Sequence, residues 1–152
     1  MVTNLAYLVY DFELYEFAIM SSQLHVTWVR SVSGRHGSGV RYTPTISYHT
    51  FPVPELTEKN KADLEATAQD IILARENHFP APLADLYEVK DGISQMPDDL
   101  RAAHDRNDEV LERIYIGRRF KNDTERLEKL FDLYTKMTSS EETKTKRKAA
   151  TQ

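Results

Sequence analysis

Pro52 and Pro54 stand two residues apart in Phe51-Pro52-Val53-Pro54 and remove two backbone donors from one short stretch. No central sheet strand can contain such a stretch. It therefore reads as an extended connector between two regions of different character: 1–54 and a helical 55–138, followed by a tail, 139–152.

Ahead of the connector the pattern changes several times. Leu5 to Tyr10 (LAYLVY) is apolar and rich in β-favouring residues, which predicts a short strand. From Phe12 to about Ser31, Phe17, Met20, Leu24 and Trp28 recur at helical spacing, giving one helix or two consecutive ones. Ser21-Ser22 is a candidate break or N-cap. Gly34 is placed to end the helical pattern as a C′ glycine. Gly34 to Tyr48 is expected to form a loop or irregular hairpin and then a strand, with Ile46 and Tyr48 alternating.

Behind the connector the periodicity is helical. Thr57 can cap a helix to about His78 whose apolar face is Leu64, Ala68, Ile71 and Ile72. Pro80 and Pro82 stop it, and Leu83 to Tyr87 has room for one helical turn. Pro97 suits the first turn of a helix to about Ile116, with Leu100, Ala103, Leu111 and Ile114 facing inward. Asn122-x-x-Glu125 has the form of a capping box, and Leu127, Leu130, Phe131, Tyr134 and Met137 form a stripe behind it. After Thr138 the Ser, Thr, Glu, Lys and Ala residues show no periodicity, so 139–152 is expected to be disordered. The fold class expected is α+β and predominantly α: short β elements followed by a helical bundle.

Charge sharpens the functional reading. From Phe17 to Pro54 there is no Asp or Glu, although charged residues make up 29% of the chain. Arg30, Arg35 and Arg41 lie in this stretch with His25, His36 and His49, around a glycine-rich turn. Cationic side chains on a backbone that can approach closely suit phosphate oxygens and base edges. The candidate DNA contacts are Arg30, Arg35, His36, Ser38, Arg41, Tyr42 and His49. The net charge of the chain is −4 and residues 1–54 balance, so an anion-binding surface has to be local. Trp28, at helical spacing with Leu24, is expected in the core and not as a base-stacking platform. Lys144 to Lys148 is a basic run able to add non-specific DNA attraction, although a solvated end is the simpler account.

Several chemistries are excluded. The absence of cysteine removes disulfides and thiolate metal sites. Gly34, Gly37 and Gly39 give GxxGxG after a helix, which is not a dinucleotide fingerprint, and no Walker lysine follows. Pro97-Asp98 lies after Glu88-Val89-Lys90, the wrong order for a PD…(D/E)xK nuclease. The histidines are scattered, and a single helix histidine such as His104 is ordinarily a hydrogen-bonded structural residue. No catalytic, cofactor or metal residues are assigned. No apolar run reaches the roughly 20 residues of a membrane span, and a cytoplasmic location is expected.

In order, these residues resemble the end of the target-recognition domain in MmeI-like (Type IIL) restriction–modification enzymes and their adenine-methyltransferase relatives. That family carries S-S-x-x-H-x-x-W-x-R, then G-R, then R-Y-S, then Y-N-x-F-P-x-P. The matching residues are Ser21, Ser22, His25, Trp28 and Arg30, then Gly34-Arg35, Arg41-Tyr42, and Tyr48 through Pro54. LADLYE (83–88), Met96-Pro97, Leu100, Ala103-His104, Asp108 and LFDLYTKM (130–137) resemble the family's helical C-terminal region. The resemblance implies duplex DNA as partner and S-adenosylmethionine in a larger parent enzyme that methylates adenine N6. The methyltransferase and nuclease domains would be supplied in cis or in trans. No adjacent prolines and no FxGxG loop occur here, so the chain alone is expected to be inactive, as a fragment, a truncated frame or a specificity subunit. Gly37 and Gly39 stand where the family places base-reading side chains, Thr43 where Ser is usual, and Asn107 where an apolar residue is common. The alternative expectation is a helical protein-interaction or scaffolding module with no DNA role.

Overall fold

The computed structural model describes residues 10–36 and 39–149, with only the backbone described for Arg35, His36, Gly39, Val40 and 140–149. The expected Leu5–Tyr10 strand lies outside the described residues except for Tyr10, which sits in an exposed bend. The elements run α1 (Leu14–Met20), α2 (Gln23–Val32), β1 (Arg35–His36), β2 (Gly39–Val40), α3 (Pro44–Ser47), α4 (Glu58–Glu76), α5 (Leu83–Leu86), β3 (Val89–Lys90), β4 (Ile93–Ser94), α6 (Asp98–Ile116) and α7 (Asp123–Ala149). The fold is α+β and mainly α. No helix among the described residues is long and apolar enough to cross a membrane.

The chain divides into two compact units, one of Met1–Gln23 with Leu56–Arg119, the other of Leu24–Glu55 with Phe120–Gln152. In the first unit α4 packs against α1 and α6. Its core is Leu64, Ala68, Ile71 and Ala74 from α4, Leu100, Ala103 and Leu111 from α6, and Ala18 and Ile19 from α1, all buried. Phe17, Tyr87 and Met96 pack on this core from its edge. Ile72 and Ile114, expected to face inward, are only half-buried, while Tyr115 is buried on α6.

The polar centre of this unit is Asn107, fully buried on α6. Its Nδ2 donates to the Ala18 carbonyl of α1 at 2.8 Å, and its Oδ1 accepts from the Thr67 hydroxyl of α4 at 2.8 Å. One carboxamide thus joins three helices. An apolar side chain here would leave the Ala18 carbonyl unmet, while the Thr67 hydroxyl would keep the Leu64 carbonyl at 2.8 Å. A second polar link joins α4, the turn after α5 and α6: Arg75 Nε donates to the Tyr87 hydroxyl at 2.8 Å, which lies 2.7 Å from His104 Nε2. His104 is therefore a hydrogen-bonded structural residue, as its isolation predicts.

Local sequence rules account for most boundaries. Thr57 caps α4 by accepting the Asn60 amide at 3.1 Å. Pro97 precedes α6, whose first turn carries Asp98 and Asp99, and Gly117 closes it at φ +77. Asn122 Oδ1 accepts the Glu125 amide at 2.9 Å, while Glu125 reaches back to the Lys121 amide at 2.7 Å, a box shifted by one residue. The α1–α2 stretch resolves as two helices broken at Ser21-Ser22, where the buried Ser22 hydroxyl donates to the Ile19 carbonyl at 2.6 Å. Phe51 to Thr57 forms neither strand nor helix, in keeping with the prolines.

Four expectations need correction. Residues 44–47 form the one-turn helix α3 instead of a strand, because Pro44 fixes φ at the first helical position and the Thr43 carbonyl accepts the Ile46 and Ser47 amides at 3.0 and 2.6 Å. Gly34 follows α2 without adopting a left-handed conformation, and its carbonyl accepts the Arg41 amide at 2.9 Å. The β3–β4 hairpin stands where no strand is expected. It turns on Asp91-Gly92, both at positive φ (52 and 78), with Lys90 opposite Ile93. Finally, helical backbone continues past Thr138 to Ala149. The Glu, Lys, Arg and Ala there are good helix formers even without an apolar stripe.

Replacing Asn107 by Ala should lower unfolding stability by about 2–4 kcal/mol through the cavity and the unmet Ala18 carbonyl. Urea denaturation of the variant measures this. Thr67→Val, which removes one of the two bonds, should cost less.

Candidate nucleic-acid interface

In the second unit α2, from Leu24, leads into the β1–β2 hairpin, and the chain then returns through Arg41, Tyr42 and α3. Arg35 pairs with Val40 and His36 with Gly39, antiparallel. The ladder is continued outward by the Arg41 amide on the Gly34 carbonyl. Gly37 and Ser38, at the tip, lie outside the described residues, and so does the Ser38 phosphate contact expected there.

The hairpin's base is held by side chains of the acid-free stretch. The buried Ser47 hydroxyl lies 2.6 Å from that of Ser33, at the end of α2, and accepts the Thr43 amide at 3.1 Å. Trp28 is 1% exposed. Its ring packs against Phe51, Phe131 and Tyr134 at centroid distances of 6.5, 5.1 and 5.7 Å. Its Nε1 donates to Thr50 Oγ1 at 3.2 Å, and that hydroxyl in turn donates to the Ile46 carbonyl of α3. Trp28 is thus core, as its spacing predicts, and also braces the segment after the hairpin. Thr27 Oγ1 donates to Asp123 Oδ1 at the start of α7 at 3.2 Å.

His25 counts among the histidines of the stretch, yet it is 3% exposed. Its ring meets Phe51 edge-on at 4.8 Å, and its Nε2 lies 3.2 Å from the Tyr42 hydroxyl. Burial lowers its pKa to about 4, so the ring is neutral near pH 7 and cannot serve as a phosphate-binding cation. Tyr42 is half-buried with its hydroxyl on His25, and its pKa is raised by burial and by Tyr48. It is a neutral group fixed in place. His49 is exposed, with its ring 5.4 Å from that of Tyr48.

Arg30, in the last turn of α2, and Arg41, after β2, are both exposed. Among the described residues neither makes an ion pair with a carboxylate. Many other cations behave differently, Arg126 and Lys136 of the same unit included. Lys59, Lys61, Lys90, Arg101, Arg106, Arg113 and Arg119 each lie within 4.0 Å of an Asp or Glu oxygen. A guanidinium already matched to a carboxylate has less to gain from a phosphate, whereas Arg30 and Arg41 keep their donors for an external anion. Of the seven expected contact residues, Arg30, Arg41 and His49 are exposed, and Tyr42 is committed to His25. Arg35 and His36 have their backbone in β1, and Ser38 lies beyond description. Sequence reasoning missed the Ser33–Ser47 lock, for which two serines 14 residues apart give no local signal.

Comparison with known proteins places these features in a family. Residues 1–55 match the family described as MmeI, target recognition domain, and residues 56–141 match MmeI, C-terminal domain. The DNA methyltransferase A of Bacillus subtilis (strain 168) is 40% identical over 137 residues, covering 90% of this chain and 15% of that protein. A solved structure of the Type IIL restriction-modification enzyme MmeI in complex with DNA is similar at a TM-score of 0.78 and 34% identity, covering 85% of this chain and 17% of that one. The chain therefore spans about one sixth of the length of these relatives.

Because the folded-state pKa of His25 lies below its unfolded value near 6.5, its contribution to stability is complete above pH 6.5 and is lost as pH falls towards 4. Between pH 7 and pH 5 this amounts to about 2 kcal/mol. Denaturation at the two pH values should show that loss in the native chain. In His25→Gln it should be smaller by about that amount.

Proposed function

This chain belongs to the MmeI family, and on that premise we propose that it is the DNA-reading end of a restriction–modification or adenine-methylating enzyme. The observation that carries the reading is the pair of exposed arginines, Arg30 and Arg41, without carboxylate partners among the described residues, in a stretch free of Asp and Glu from Phe17 to Pro54. The likeness to an enzyme solved in complex with DNA supports duplex DNA as the ligand.

In this reading the guanidiniums of Arg30, Arg35 and Arg41 donate to phosphate oxygens or to a guanine edge. His36, Ser38 and His49 add further hydrogen-bond donors. Tyr42 supports Arg41 from the protein side through its contact with His25. The frame of Ser33, Ser47, Trp28 and Thr50 costs the hairpin's base some of its freedom before DNA arrives, so less is lost on binding. Gly37 and Gly39 bring no side chain to the tip. Contact there is made by backbone amides and the Ser38 hydroxyl, and base discrimination falls chiefly to Arg41.

Adenine methylation would be the work of other domains of the parent, in cis or in trans, and these are the proposed protein partners. S-adenosylmethionine would bind there. The residues present do not fit it, since the chain contains neither an FxGxG loop nor Asn-Pro-Pro-aromatic, and no catalytic step is assigned to it. The cytoplasm, where DNA is accessible, is the proposed location.

Titration of the chain with duplex DNA across a range of salt tests the reading. Arg35→Ala and Arg41→Ala should each weaken binding by roughly 5- to 150-fold, corresponding to about 1–3 kcal/mol. Arg113→Ala, whose arginine is paired with Glu109, should bind as the native chain does. Undetectable binding at low salt, or affinity indifferent to both substitutions, would overturn it.

A further inference from the structure

The two compact units divide the charge of the chain unequally. The unit of Leu24–Glu55 with Phe120–Gln152 contains eleven Lys and Arg against seven Asp and Glu, a net of +4. The other contains nine against seventeen, a net of −8. A chain that is acidic as a whole thus includes one positive body, and that body carries Arg30, Arg35 and Arg41.

Four of its eleven cations, Lys144, Lys146, Arg147 and Lys148, fall within five residues at the C-terminal end of α7. The side chains that anchor this helix in its unit come earlier, with Leu130 fully buried and Phe131 and Tyr134 on Trp28. The 27 residues of α7 extend about 40 Å at 1.5 Å per residue. The basic run lies past residue 141, where the match to the family's C-terminal domain ends. Cations near a helix C-terminus complement its dipole, which accounts for one or two of them. Four in five residues repel one another, and a polyanion offsets that repulsion.

We propose that the Lys144–Lys148 end of α7 is a second, sequence-independent phosphate contact to the DNA that the hairpin reads. It rests on the DNA-binding reading above. It supplies attraction without discrimination, while the acid-free stretch supplies register.

The experiment compares the full chain with a variant in which Lys144, Lys146, Arg147 and Lys148 are all replaced by Gln, titrated with several duplexes over a range of salt. The variant should bind every duplex more weakly by the same factor. Its plot of log affinity against log salt should be shallower by about 0.9 for each phosphate that the native helix end neutralises. If the variant's affinity and salt slope equal those of the native chain while Arg41→Ala still weakens binding, the α7 contact is refuted and the hairpin reading stands. A lowered melting temperature with an unchanged slope also refutes it, and assigns the cations to the helix dipole. Failure of the native chain itself to bind any duplex would remove both readings.

Discussion

The carboxamide of Asn107 is cut off from water, so its bonds to Ala18 and Thr67 have to be satisfied by protein. That requirement fixes α1, α4 and α6 relative to one another more narrowly than apolar packing does, because hydrophobic contact tolerates sliding and a hydrogen bond does not. The second unit depends on smaller groups of the same kind. Ser47 ties the end of α2 to α3, and Trp28 spans from the core to Thr50. In each unit a buried polar group specifies the arrangement, and the apolar core supplies most of its stability.

The same physics separates the groups of the acid-free stretch into two roles. His25, withdrawn from water, has lost its cationic form and become a hydrogen-bonding strut for Tyr42. Arg30 and Arg41 remain solvated and charged. The contrast with Arg106 and Arg113, each held by a nearby carboxylate, matters more than the number of cations. An exposed ion pair contributes little to stability, yet it reduces what its arginine can offer an outside anion.

Much of this is legible in the sequence because it depends on neighbours along the chain. Thr57 and Asn122 set helix starts by accepting amides three residues on, Pro97 opens α6 by its own restricted backbone, and Pro52 and Pro54 bar a strand by their own chemistry. The failures are of two sorts. At 44–47 two local rules compete, and the preset φ of Pro44 prevails over the alternation of Ile46 and Tyr48. At Asp91-Gly92 the hairpin signal is present, but Glu88-Val89-Lys90 stands out first as a fragment of a nuclease motif. Ser33 with Ser47, and Asn107 with Ala18, carry no local signal, since the partners meet only after folding.

Charge is the property least legible from the linear chain. Cutting it at the connector makes residues 1–54 neutral and leaves the whole −4 behind them, which argues for a small local patch. Spatial contact draws the boundary elsewhere. The unit with the hairpin takes Phe120–Gln152, of which 120–141 lie in the segment matched to the C-terminal domain, and gives Met1–Gln23, with Asp11, Glu13 and Glu16, to the other unit. Acids and cations that offset one another along the sequence then belong to different bodies. Since the field at a surface falls off within about 10 Å at moderate salt, a bound anion responds to the charges near it more than to the total. The net charge of the chain therefore does not by itself argue against a polyanionic ligand. In the proposed reading Gly37 and Gly39 offer no side chains to the bases, while the net positive charge of their unit still favours phosphate.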